Sequence, residues 1–163
     1  MRGKLVLVAI LAAVLATPAA VSAAATVLKS RMTGAQIAND DGGAPRGIAQ
    51  ATISLNEPRH RLCFEISYSG LGGQATGGYL RRGGPGELAR PAVVLFSGRS
   101  VSPVDGCVAN VATKTISELS DNPDGYYMDL TTRKLPKGAV RGQLHDGSGG
   151  DQQLEGPPSG GIG

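Results

Sequence analysis

From Arg61 to Ser69 the apolar residues Leu62, Phe64, Ile66 and Tyr68 alternate with Arg61, Cys63, Glu65 and Ser67. A period of two sends one set into a core and the other toward water, the pattern of a half-buried strand. The same period puts Ala51, Ile53 and Leu55 on one face of a strand over Gly47–Leu55, preceded by a first strand at Thr26–Thr33 that stops at Gly34. Further short strands are predicted at Ala92–Phe96, Cys107–Ala112, Tyr126–Thr132 and Ala139–Leu144, and a glycine-rich stretch leads into Tyr79-Leu80-Arg81-Arg82. Between them lie turn-forming stretches: Asp40-Asp41-Gly42-Gly43, Asn56-Glu57-Pro58, the glycine-rich Gly70–Gly78, Gly83-Gly84-Pro85-Gly86 and Leu135-Pro136-Lys137-Gly138. Gly supplies left-handed backbone there, Pro fixes φ, and Asn and Asp bond their own backbone. Only Thr115–Ser120 has helical spacing, with Ile116 and Leu119 three apart and Asn122-Pro123 as the stop. Seven or eight short strands with almost no helix predict an all-β fold, an antiparallel sandwich or barrel.

The beginning of the chain follows other rules. Arg2 and Lys4 precede an unbroken apolar run, Leu5–Ala16, closed by Pro18 and small residues. This reads as a secretory signal peptide over 1–25, with Val21-Ser22-Ala23 and Ala23-Ala24-Ala25 as alternative cleavage sites. The run is shorter than the roughly 20 residues needed to span a bilayer, which disfavours a retained anchor. One domain is expected over 26–145, and a disordered tail over 146–163, which has no bulky residue besides Leu154 and Ile162. The expected location is secreted, extracellular or in the cell envelope, with no membrane span after cleavage.

Removing the signal changes the charge. The formal +3 includes Arg2 and Lys4, so the mature chain keeps +1. With no Trp, four Tyr and two Phe, it has neither the field nor the stacking platforms of a nucleic-acid binder. Cys63 and Cys107 are the only cysteines, and an even count in an exported chain reads as one disulfide, two free thiols being the alternative.

The search for chemistry returns little. A metal site needs several converging His, Cys or carboxylate ligands, and the only histidines are His60, in a polar turn, and His145, where the tail begins. Asp121 and Asp124 flank Pro123, but Asp in this context stabilises turns more readily than it binds calcium. No nucleophile elbow or phosphate loop is present, and no cofactor is expected. Carboxylates paired in space for hydrolysis are invisible to sequence. Arg81 and Arg82, with Arg90 and Arg99 nearby, would make an anion-binding patch if the strands bring them together. A solvated basic edge that discourages sheet-to-sheet aggregation is the better reading, because Glu87 and Glu118 could neutralise the patch. Arg141-Gly142-Gln143 reads as structural: a buried guanidinium satisfied by carbonyls or a carboxylate, beside a glycine that permits close backbone approach.

Two blocks carry a family resemblance. The first is Ser69-Gly70-Leu71 with Ala75-Thr76-Gly77-Gly78, then Tyr79-Leu80-Arg81-Arg82-Gly83-Gly84-Pro85-Gly86 and Pro91–Phe96. The second is Asn122-Pro123, Tyr126-Tyr127 and Leu135-Pro136-Lys137-Gly138-Ala139-Val140-Arg141-Gly142-Gln143-Leu144. Together, over about Val27–His145, they resemble the chordin-type (CHRD) domain of extracellular proteins in animals and bacteria. The resemblance implies a Greek-key sandwich with the architecture of Cu/Zn superoxide dismutase, though fold alone transfers no chemistry. Family members commonly carry His-x-His where this chain has Tyr79 and Arg81, and often a His where it has Thr131. None of the three suits a soft or borderline metal, so dismutase chemistry is not expected. The reading is therefore a secreted, non-enzymatic binding or structural module whose partner is an extracellular protein or anionic polymer. The alternative is a secreted hydrolase with a carboxylate-based site.

Overall fold

The computed structural model describes residues 25–147, so the predicted signal segment and nearly all of the predicted tail lie outside the described residues. Eight strands form the fold: β1 (Thr26–Thr33), β2 (Ile48–Asn56), β3 (Arg61–Ser69), β4 (Ala75–Arg82), β5 (Pro91–Ser100), β6 (Val104–Val108), β7 (Tyr126–Thr132) and β8 (Val140–Asp146). One helix, α1 (Thr113–Asp121), and three short 3-10 turns complete the described residues. Every strand pairing is antiparallel, in the order β5-β4-β7-β8-β1-β2-β3-β6.

The all-β expectation holds, as one curled and nearly closed sheet. Alternation dictates the core: Leu28 and Met32, Ile53 and Leu55, Leu62 and Ile66, Leu80, Met128 and Leu130, and Leu144 all point inward and are buried. α1 caps one end, with Ile116 and Leu119 on its buried stripe. The edge strands β5 and β6 meet through side chains of β3. Tyr68 donates its hydroxyl hydrogen to the Ser100 carbonyl and accepts from the Ala75 N–H at 3.2 Å, while its own N–H donates to Ser102 Oγ at 2.8 Å. Phe64 of β3 stacks on Phe96 of β5, ring centroids 6.2 Å apart.

The bounds of β1, β3 and β7 are those expected from the sequence. β4 differs: it begins at Ala75, inside the stretch read as a glycine-rich loop. The glycines are needed by the strand itself, because the Tyr79 ring covers Gly77 and the Phe96 ring covers Gly78, where a Cβ would stand. β6 also differs, lying at Val104–Val108 rather than Cys107–Ala112. Its register sets Gly106 under the Phe64 ring and Cys107 opposite Cys63. Beyond Val108 the chain leaves the sheet; Asn110 takes a φ of 57° and the Val111 N–H turns to the His60 carbonyl at 3.0 Å.

A covered polar face on β4, β7 and β8

All seven residues of β7 are buried, although Tyr127, Asp129 and Thr131 point away from the core. Something must cover the outer face there, and a large part of the cover is the segment between β4 and β5. Gly83 has a φ of 153°, and its N–H donates to the Gly125 carbonyl at 2.8 Å. The next turn is closed by the Glu87 N–H to the Gly84 carbonyl at 3.2 Å and by the Gly84 N–H to Glu87 Oε2 at 2.8 Å. Residues 83–89 are thereby folded back across the sheet.

Four side chains of the sheet hold this segment by its backbone. Arg141 donates to the Glu87 carbonyl at 2.5 Å and the Gly84 carbonyl at 2.6 Å. Arg81 donates to the Ala89 carbonyl at 2.6 Å, and the Tyr127 hydroxyl accepts from the Ala89 N–H at 3.0 Å. Gln143 Nε2 donates to the Gly83 carbonyl at 3.0 Å and reaches the Asp124 and Tyr126 carbonyls as well. A segment with few apolar residues is thus anchored through charge-assisted bonds, the strongest kind a neutral backbone acceptor can make.

The sheet register explains the grouping. Arg81 lies opposite Tyr127, which lies opposite Gln143; Tyr79 lies opposite Asp129, which lies opposite Arg141. Diagonal neighbours on one face then meet. Arg81 Nε donates to Asp129 Oδ1 at 2.7 Å and Nη2 to Oδ2 at 3.3 Å, a bidentate pair. The Arg141 guanidinium sits over the Tyr127 ring, and that of Arg81 lies 5.1 Å from the Tyr79 ring centroid. Asp129 and Arg141 are each only 3% exposed. Burial pushes the Asp129 carboxyl above its ordinary value, against the hydrogen bond and charge of Arg81 and the charge of Arg141. Burial also lowers the Arg141 pKa, opposed by Tyr127, Asp129 and Glu87. Beside the network lies a cavity of about 280 Å³ whose lining includes Ile37, Asn39, Leu88, Lys137, Arg81, Asp129 and Arg141.

Arg81 and Arg82 do not form one patch. Adjacent strand residues point to opposite faces, and each arginine finds its own carboxylate. Arg82 pairs with Glu118 of α1 and bonds the Tyr126 hydroxyl at 3.3 Å, remaining 56% exposed. The Tyr126 hydroxyl donates in turn to Glu118 Oε2 at 2.7 Å. Glu87, the other acid near the arginines, spends its carboxylate on the Gly84 N–H. Arg90 and Arg99 are exposed. Arg141, Gly142 and Gln143 act together: two of them anchor the covering segment, and a Cβ on Gly142 would collide with the Arg31 carbonyl. The positions Tyr79, Arg81 and Thr131 all lie on this outer face, where Thr131 Oγ1 meets Thr76 Oγ1 at 3.4 Å.

Elsewhere Cys63 and Cys107 are joined, their Cα atoms 4.0 Å apart across β3 and β6. His60 Nδ1 meets Thr113 Oγ1 at 3.2 Å, and His145 Nδ1 meets the Asp146 carbonyl at 2.8 Å. Asp121 accepts from Ser117 at 3.2 Å. Among the described residues no three His, Cys, Asp or Glu side chains converge as a metal would require. Sequence reasoning missed Asp129 and Tyr127. The available signal was an acid in the middle of Tyr-Tyr-Met-Asp-Leu, where burial forces it to find a partner.

No curated protein and no solved structure matches the sequence significantly. The family model described as the CHRD domain matches residues 28–144, which takes in β2 to β7, most of β1 and β8, and the whole covered face. The chain belongs to the CHRD domain family.

Proposed function

We propose that this protein is a secreted, non-enzymatic binding module of the cell exterior, presenting the cavity beside the covered face of β4, β7 and β8 to an extracellular partner. The apolar run Leu5–Ala16 and the cysteine pair on the sheet's outer surface support export. The observation that carries the non-enzymatic reading is the state of Asp129. It is the one carboxylate lining the cavity among the described residues, and both its oxygens are held by Arg81. A hydrolase of the carboxylate type needs a second acid within about 5–10 Å, free to exchange a proton with substrate or water.

The raised pKa of Asp129 beside a cleft is what favours the hydrolase alternative, because perturbed acids gather in active sites. The bidentate pair weighs against it, since proton transfer at Asp129 would break the contact that orients Arg81. Incubating the mature domain with the extracellular fraction separates the two. The expected result is a retained component recovered at its original mass. Shortening of that component by wild-type protein, absent with Asp129→Asn, would establish the hydrolase instead.

A further inference from the structure

The lining of the cavity beside Arg81 carries more guanidinium than carboxylate. Two guanidiniums, Arg81 and Arg141, share it with one carboxylate, Asp129, while Glu87, whose charge also acts on Arg141, lies outside the lining with its carboxylate on the Gly84 N–H. Lys137 at the rim is already paired with Asp41 at 2.8 Å, so it leaves the balance unchanged. Five N–H donors of the two arginines are used, three from Arg81 and two from Arg141, all on Asp129 or backbone carbonyls. Both guanidiniums therefore keep unmatched donors. Arg81 is 20% exposed and accessible from the cavity, while Arg141 lies beneath it as a fixed, desolvated charge.

Apart from Asn39, Tyr127 and Lys137, the remaining walls are aliphatic. Ile37 closes one side, and Leu88, 68% exposed, stands at the mouth. A leucine left in water beside a guanidinium with free N–H donors describes one ligand chemistry: a single negative charge on a short apolar body. The volume, about 280 Å³, is at the small end of ligand sites, which run from roughly 300 to 1,000 Å³. A dianion is disfavoured because Asp129 in the lining and Glu87 beside it already offset most of the guanidinium charge.

We propose that the cavity between Arg81, Asp129, Arg141, Ile37 and Leu88 binds a monocarboxylate with an aliphatic body, the C-terminal residue of an extracellular peptide. The carboxylate bonds the free donors of Arg81, and the side chain packs on Ile37 and Leu88. This rests on the binding-module reading above and names the ligand class for that face.

The test follows the arginine Nε–H signals of the disulfide-intact domain by NMR during titration. The probes are N-acetyl-leucine, its neutral amide N-acetyl-leucinamide, glucuronate and inorganic phosphate. Saturable shifts of the Arg81 and Arg141 signals with N-acetyl-leucine, in the millimolar range, are expected, with much weaker response to the other three. Equal binding of the amide, or tighter binding of phosphate or glucuronate, overturns the assignment. So does the absence of any shift at tens of millimolar. Arg81→Gln should abolish the response. Because that variant also loses the Asp129 pair, Leu88→Glu serves beside it. At so exposed a position the melting temperature should not move, and a like charge at the mouth should weaken N-acetyl-leucine binding by at least about tenfold. Unchanged affinity in Leu88→Glu overturns the site. A domain that ignores N-acetyl-leucine yet retains an extracellular component would refute this inference alone and leave the binding module standing.

Discussion

The Arg141 guanidinium carbon lies 3.5 Å from the centroid of the Tyr127 ring, and the same guanidinium holds the Gly84 and Glu87 carbonyls. Arg141 is thus a clamp between two layers, with the sheet below and the covering segment above. A lysine keeps the charge but has neither the planar fork nor the stacking surface. Arg141→Lys should cost about 2 kcal/mol, and Arg141→Ala about 3 kcal/mol or more, since two carbonyls lose a charged donor as the ring contact goes. Chemical denaturation measures both. A loss below about 0.5 kcal/mol for Arg141→Ala would show that the segment is held without the clamp.

Tyr127 serves the same layer through its hydroxyl, which accepts from the Ala89 N–H. Tyr127→Phe keeps the ring under Arg141 and removes only that acceptor, so a global loss of about 1 kcal/mol is expected. The more specific consequence is local. Exchange of the Ala89 amide hydrogen should accelerate while core amides of β2 and β3 keep their protection. Uniform acceleration would mean that the covering segment and the sheet unfold as one unit.

Asp129 sets burial against its partner. Burial raises its pKa above the ordinary aspartate value of 3.8, and Arg81 does not fully reverse this. The folded state then binds its proton more tightly than the unfolded chain does. Its contribution to stability is accordingly greatest below about 3.8 and declines as pH rises through the folded pKa. Asp129→Asn removes the titration. The stability of wild type relative to Asp129→Asn should therefore shrink as pH rises from about 3.8 and level off once the folded pKa is passed. Urea midpoints across the acid range give the sign. A gap that widens with pH would show that the Arg81 pair outweighs burial.

What the sequence revealed depended on where each strand faces water. β3 has one wet face, so Leu62, Phe64, Ile66 and Tyr68 alternate visibly and its bounds are legible. β7 is buried on both faces, and its bounds were legible from β-forming residues, but its alternation was not. For that reason Asp129 did not stand out as the centre of a polar face. Arg81 and Arg82, adjacent in sequence, suggested one patch; period two already separates them, and the register confirms opposite faces. Arg141 was legible because a charge in an apolar strand must be satisfied, but its partners, carbonyls more than 50 residues away in sequence, were not. Such long-range pairings depend on strand order, which local pattern does not encode.

The Cys63–Cys107 bond ties β6, an edge strand of five residues, to β3. It closes a separation of 44 residues, for which loop entropy predicts up to about 4 kcal/mol of stabilisation. Replacing both cysteines with alanine should approach that loss in urea unfolding. The effect should be largest at the β6 edge, where amide exchange should rise toward that of the open loop. A double variant within about 0.5 kcal/mol of wild type would show that β6 is held by Val104 and Val108 packing alone.

Closure of the sheet rests on Tyr68, the one β3 side chain that reaches both β4 and the end of β5 through its hydroxyl. Its ring lies on the core face, in phase with Leu62, Phe64 and Ile66, so Tyr68→Phe preserves packing and deletes only the oxygen. The Ser100 carbonyl then loses a donor and the Ala75 N–H an acceptor. Ala75 is fully buried, so water cannot replace the lost acceptor without opening the seam. The expected cost is about 1–2 kcal/mol. Because the two bonds join the ends of the sheet, the loss should appear mainly as faster exchange along β5 and β6, with β1 and β2 unaffected. If instead β1 and β2 lose protection equally, the seam is not an independent opening unit and the sheet melts from its middle as readily as from its edges.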